Sequence, residues 1–182
     1  SRELREEIWQ RFKNASTAIN KKHQTYFESI RKIEEDNLAA KTALCEKIES
    51  IDFSVLKTFS EWEEATKNVL ALQDEWRTIG FAPRKLNQKV FERYRHACDA
   101  FFSAKAEFFK QVRNSYAENY RKKVELCENA ESLKDNTDWK ETSEKFIQLQ
   151  KEWKAIGPVP RKYSDELWKR FISACDYFFD QK

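Results

Sequence analysis

Glycine and proline are nearly missing from this sequence: two Gly and three Pro in 182 residues, where average usage of about 7% and about 5% would supply roughly 22. Sheets, sandwiches and barrels turn often, and tight turns need residues that accept positive φ or hold it near the proline value. A β-rich fold is thereby excluded. Phosphate loops and dinucleotide fingerprints need several glycines in one short stretch, so that backbone amides can face the phosphates. No such stretch exists here. Methionine is absent altogether, and Ser1 leads directly into a charged amphipathic pattern, as in an excised fragment. No apolar run approaches the roughly 18 residues of a membrane span, and no short apolar segment follows a basic start as in a signal peptide. These absences point to a soluble, cytoplasmic protein with no membrane contact.

Metal-ligating residues are also few. The four cysteines, Cys45, Cys98, Cys127 and Cys175, show no close pairing, and the only histidines are His23 and His96. A zinc site has too little to work with, and no cofactor is expected. The cysteines read as small core residues in a reducing compartment. Cys45 and Cys98 fall at similar heights along their helices, as do Cys127 and Cys175, which leaves a disulfide as the alternative. What is plentiful is charge, at 36%, beside 40% hydrophobic and 14% aromatic residues. That mixture folds, and its high charge suits long helices with much surface for their core.

The chain repeats itself. Leu72 to Lys85 returns 77 residues later as Leu149 to Lys162, Trp62 corresponds to Trp139, and the match continues from Val90–Tyr94 into Leu167–Phe171. Upstream the offset becomes 82: Leu44-Cys45-Glu46 matches Leu126-Cys127-Glu128, and Ile8–Phe12 matches Val90–Tyr94. The first unit therefore carries five extra residues between Ile51 and Trp62. Every Cys and every Trp occupies a position of this frame, so a duplicated fold explains their placement before any chemistry does.

The residues Glu75-Trp76, Ile79-Gly80 and Pro83-Arg84-Lys85, repeated as Glu152-Trp153, Ile156-Gly157 and Pro160-Arg161-Lys162, precede a helix with an aromatic, Lys/Glu, Arg, aromatic run. In this the chain resembles the bacterial family called domain of unknown function 349, which occurs singly or in tandem arrays. The resemblance covers essentially the whole chain, as two units plus a leading helix. It implies a helical repeat and supplies no activity.

Apolar residues set the architecture. Ile8, Phe12, Ala15, Ile19, Tyr26, Ile30 and Ile33, followed by Leu44, Cys45, Ile48 and Ile51, form a near-heptad seam, which predicts one long helix from Arg2 to Ile51. A second runs from Leu86 to Leu133 and carries the Phe101-Phe102 and Phe108-Phe109 doublets, wide enough for two partners. Short helices lie between, one capped by Ser60 with Glu63 and ending at Ile79, its equivalent capped by Thr137 and ending at Ile156. Gly80 and Gly157 stand where left-handed C-terminal caps are expected, and Asn87 and Ser164 where the next helices start. Short connections make neighbours antiparallel. The expected fold is all-α: elongated tandem three-helix bundles sharing a long continuous helix, spectrin-like in layout. Residues 1–25 lead the first long helix, 26–110 form the first three-helix repeat, and 111–182 form the second, truncated in its last helix. With no short helix before them, Leu4 to Lys22 project, complete a missing repeat, or self-associate.

Candidate site residues come from charge. Counted from the Gly80 loop at about 1.5 Å per residue, Glu75 lies about 7 Å up one helix and Arg93 about 10 Å up the next. They are expected to meet as a structural ion pair, as are Glu152 and Arg170. The alternative is that the arginines, with Arg84, Lys85, Arg161 and Lys162 beside a helix N-terminus, bind a phosphate or carboxylate. Residues 84–124 hold eleven Lys or Arg against four acids, a surplus of seven in a chain whose net charge is +3. There Arg113, Arg121, Lys122 and Lys123, with Tyr116 and Tyr120, are candidate contacts for phosphates and stacked bases, although a solvated basic face is the commoner cause. Trp76 and Trp153 read as core. No nucleophile stands beside a base, so the chain is expected not to be an enzyme. It reads as a protein-protein interaction scaffold or spacer with an unidentified protein partner; the alternative is RNA or DNA binding through the basic central helix.

Overall fold

A computed structural model describes residues 1–181. The described residues form five α-helices and one 3-10 turn, with no strand. Helix α1 spans Arg2–Glu49, the 3-10 turn Phe53–Val55, α2 Phe59–Thr78, α3 Arg84–Leu133, α4 Trp139–Ala155 and α5 Arg161–Gln181. The all-α reading holds, and both long helices run unbroken because nothing in α1 or α3 is Gly or Pro.

The chain divides into two compact units, Ser1–Lys105 and Ala106 onward, with the boundary inside α3. In the first, α1 and α2 pack with the opening part of α3. Cys45, Ala82 and Val90 are buried with Leu38, Trp76 and Tyr94 against them, and Ile48, Ala97 and Cys98 continue the core. At its far end Trp62 and Phe101 lie 5.6 Å apart between ring centroids, with Phe53 of the 3-10 turn 6.2 Å from Trp62. The five additional residues of the first unit thus supply a lid: the Trp62 indole N–H donates to the Leu56 carbonyl at 3.2 Å. In the second unit α3, α4 and α5 bury Leu126, Cys127, Phe146, Trp153, Phe171 and Phe178 in one core.

Several helix ends differ from expectation. The capping box of α2 is Thr58 with Glu61, not Ser60 with Glu63. Glu61 accepts from the amides of both Lys57 and Thr58, at 2.6 and 3.0 Å, which satisfies two donors and starts the helix earlier. Asp138 rather than Thr137 caps α4. Helices α3 and α5 begin three residues before Asn87 and Ser164, at Arg84 and Arg161. There the Pro83 carbonyl accepts from the amides of Leu86 and Asn87, and the Pro160 carbonyl accepts from that of Tyr163. The Asn87 side chain turns back instead and accepts from the Ala82 amide at 3.2 Å.

The glycines are needed for space and not for handedness. Neither has positive φ, and the chain leaves α2 and α4 through extended backbone at Ile79 and Ile156. A Cβ on Gly80 would stand 3.0 Å from Nδ2 of Asn37, and one on Gly157 would stand 2.9 Å from Nδ2 of Asn119. Those amides hold the two loops, donating to the carbonyls of Phe81 at 2.9 Å and Pro158 at 2.8 Å.

Candidate functional site

The polar groups of each unit form one repeated set. Arg93 donates from Nε and Nη2 to the Glu49 carboxylate, the latter at 2.7 Å, and Arg170 donates from Nε to Glu131. The expected partners Glu75 and Glu152 are therefore corrected to Glu49 and Glu131. Height along the helix was matched, but azimuth decides. Trp76 stacks on Tyr94 at 4.0 Å and 8°, and Trp153 on Phe171 at 4.4 Å and 10°, so the rings take the seam between the short helix and the next long one. Residues one step away are turned by about 100°. Glu75 consequently faces solvent, and Arg93 turns toward α1.

A lysine covers each tryptophan. The Lys41 ammonium lies 4.9 Å from the Trp76 ring centroid, and the Lys123 ammonium 4.8 Å from that of Trp153. Lys41 is buried despite its charge, and burial lowers its pKa. Trp153 is buried as expected, whereas Trp76 is half-buried. Lys41, Asn37 and Glu49 escaped the sequence reading, although each recurs at the offset of 82 as Lys123, Asn119 and Glu131.

The basic candidates do not share one environment. Arg84 and Lys85 in the first turn of α3, and Arg161 and Lys162 in the first turn of α5, are exposed, and the Lys162 ammonium sits 5.1 Å from the Tyr163 ring centroid. Arg84 lines a groove of about 400 Å³ together with Glu34 and Asn87, so an anion entering it meets a carboxylate. Arg113 is exposed. Arg121 is held by Glu118 at 2.6 Å and faces Glu125 at 3.7 Å, and Lys123 is committed to Trp153. Lys122 lines a second groove of about 400 Å³ with Glu125 and Glu152. Tyr120 packs on Tyr163, with ring centroids 5.0 Å apart. Of the four basic candidates Arg113, Arg121, Lys122 and Lys123, two are thus engaged within the protein.

The thiols lie in the cores. All four cysteines are free and buried. Burial pushes Cys127 up to about 11 and raises Cys45 and Cys175 above the ordinary thiol value, and the Cys45 and Cys127 thiols point at the carbonyls of Val90 and Leu167. Buried thiols of this kind pack as small core residues. Among the described residues no cluster of His, Cys, Asp or Glu suits a metal ion, and no helix is long and apolar enough to cross a membrane.

The most conspicuous surface is the leading part of α1. Leu4, Ile8, Trp9, Phe12, Ile19, Tyr26, Phe27 and Ile33 all stand in solvent, with Phe12 64% exposed. Trp9 and Phe12 stack on each other at 6.0 Å. A contiguous apolar stripe of this kind is what monomeric surfaces seldom present.

No curated protein and no solved structure matches this chain. A family model matches it twice, over residues 7–85 and 89–162. The chain, all-helical and built from the same polar set twice over, belongs to the family described as Domain of Unknown Function (DUF349).

Proposed function

We propose that this chain is a non-enzymatic helical repeat module, working as a protein-interaction scaffold in the cytoplasm. The carrying observation is the apolar face of α1, where Ile8, Phe12 and Ile19 are each more than half exposed. A helix-in-groove or helix-on-hairpin contact uses anchors at this spacing. The fold itself uses the candidate polar groups: the thiols are buried, and Arg93 and Arg170 are paired to Glu49 and Glu131. Four buried thiols without a disulfide suit a reducing compartment. Nucleic-acid binding draws less support, because Arg121 faces Glu118 and Glu125 on its own helix and Lys123 lies over the Trp153 ring.

The test is site-specific photo-crosslinking in cells. A photoreactive residue replacing Phe12 is expected to capture a defined protein band, whereas one replacing Lys67, a solvated position of α2, captures none. Equal labelling from both positions, or none from either, would remove the scaffold reading.

A further inference from the structure

The pairs Trp153 with Phe171 and Phe146 with Phe178 stack between α4 and α5, so these two helices run antiparallel. On their outer side Gln150, Trp153 and Lys154 of α4 and Trp168, Phe171 and Ile172 of α5 enclose a cavity of about 260 Å³. Trp168 is 48% exposed, and neither neighbouring ring lies flat on it: Trp153 is tilted to it by 50° and Phe171 by 41°. The Trp168 indole face is thus open to a ligand. Apolar surface continues along the groove, where Ile147 and Phe179 are also exposed. Trp168, Ile172 and Phe179 stand at i, i+4 and i+11, within about 40° of one another around α5, a stripe of about three turns.

The first unit lacks this stripe. At the offset of 77, Ile147, Lys154, Trp168 and Ile172 correspond to Leu70, Arg77, Phe91 and Arg95. Arg95 faces Asp99 at 3.9 Å, so a guanidinium stands where the second unit has the apolar middle of its stripe. The two units share a core pattern but not this surface. Charge then limits what fits. Lys154 lines the cavity, and Lys140 stands on the same side of α4 beyond Ile147; neither makes an ion pair among the described residues. On the α5 side Asp165 and Asp176 flank Lys169, also without ion pairs among the described residues. The α4 edge is therefore basic and the α5 edge net acidic. A free cation is disfavoured, because Lys123 lies over the Trp153 ring and Lys154 stands at the cavity. Small-molecule clefts run to about 300–1,000 Å³, whereas this cavity suits one anchoring side chain. Four apolar side chains fall well short of the roughly 20–30 residues per side in a stable interface, which suits a short segment and not a second copy.

We propose that the α4/α5 groove of the second unit docks an amphipathic helix of another protein, which seats one large apolar side chain against Trp168, Ile172 and Trp153 and sets an acidic residue against Lys154. Anchors at i and i+4 on one helix face match a groove of this form. The surface is separate from the α1 face and goes beyond the scaffold reading drawn from it.

The probe is a displayed library of random helical peptides of about twelve residues, the length of three turns, panned on the full chain, with enriched peptides measured by fluorescence polarisation. Those peptides are expected to carry apolar residues at i and i+4 and an acid one turn away. Ile172→Arg, which copies the first unit, should weaken binding at least about tenfold while circular dichroism and Tm stay near wild type. Lys154→Glu, at an exposed position, should also weaken it, and exchanging the peptide's acid for lysine should restore binding to that variant alone. Phe12→Lys on α1 should change nothing. No enrichment, equal binding to wild type and Ile172→Arg, or binding lost only with Phe12→Lys would each overturn the proposal. A dimer in sedimentation that Ile172→Arg dissociates would overturn it in favour of a second copy. A defined crosslink from Phe12 in cells with no peptide bound at the groove would leave the scaffold reading standing and remove this one.

Discussion

Arg93 reaches across from α3 to Glu49 at the end of α1, and the same geometry recurs between Arg170 and Glu131. Both Arg93 and Glu49 side chains are about two-fifths exposed, at 42% and 40%. An ion pair in that setting is worth about 0.2–1 kcal/mol, and two donated hydrogen bonds place it toward the upper end. Glu49→Gln is therefore expected to lower stability by up to about 1 kcal/mol, while Glu75→Gln stays within about 0.5 kcal/mol of wild type. Urea unfolding followed by circular dichroism checks this, and an equal cost at Glu75 would contradict the pairing.

At Gly157 two effects of similar size oppose each other. An added Cβ displaces the Asn119 amide from the Pro158 carbonyl, losing about 0.5–1.5 kcal/mol of hydrogen bonding. Because the backbone there is not left-handed, alanine also restricts the unfolded chain, a gain of about 0.4–1 kcal/mol. Gly157→Ala should be nearly neutral alone and stabilising in an Asn119→Ala background. A double-mutant cycle measures the reversal, and additive effects would show that Asn119 is not the neighbour that matters.

Lys123 is committed to the face of Trp153, so its truncation acts on folding. Lys123→Ala should cost about 0.5–1 kcal/mol, and Lys122→Ala should cost little. For the same reason the chain is expected to show no steeply salt-dependent binding to a single-stranded oligonucleotide at micromolar protein. Salt-sensitive binding that weakens when Arg121, Lys122 and Lys123 become glutamate would restore the nucleic-acid reading.

The Glu61 carboxylate is held below the usual range by the amides of Lys57 and Thr58. A group depressed in the folded state stabilises fully above its unfolded value, here 4.5, and that contribution disappears as pH falls through the folded value. Glu61→Gln should accordingly lower the Tm at neutral pH, with the gap to wild type closing well below pH 4.5. A gap independent of pH would mean that the capping box does not depend on the charge.

The four thiols should react with a small thiol reagent only as fast as the protein opens. Burial both shields them and, for Cys127, raises the pKa to about 11, so little thiolate exists near neutrality. Addition of urea should accelerate labelling of all four together. Rapid labelling of a single cysteine in the folded protein would identify an accessible, reactive group.

Much of this fold follows from local rules written in the chain. The scarcity of breakers fixed two long helices, the near-heptad seam marked a buried face at Leu44, Cys45 and Ile48 but not from Ile8 to Ile33, and the offsets of 77 and 82 exposed the duplication and the five extra residues of the first unit. Partner choice was not local. Glu75 and Arg93 share a height, but Trp76 and Tyr94 occupy the seam and rotate them apart, which hands Arg93 to Glu49. Gly80 and Gly157 looked like handed caps, yet the close approach of Asn37 and Asn119 from another helix is what excludes a side chain there. Sequence by itself determined which segments are helical and that they recur, because periodicity and breakers act within one turn. Tertiary structure alone decided which polar groups meet and which apolar face stays uncovered, because those depend on rotation about the helix axis and on the presence of a packing partner.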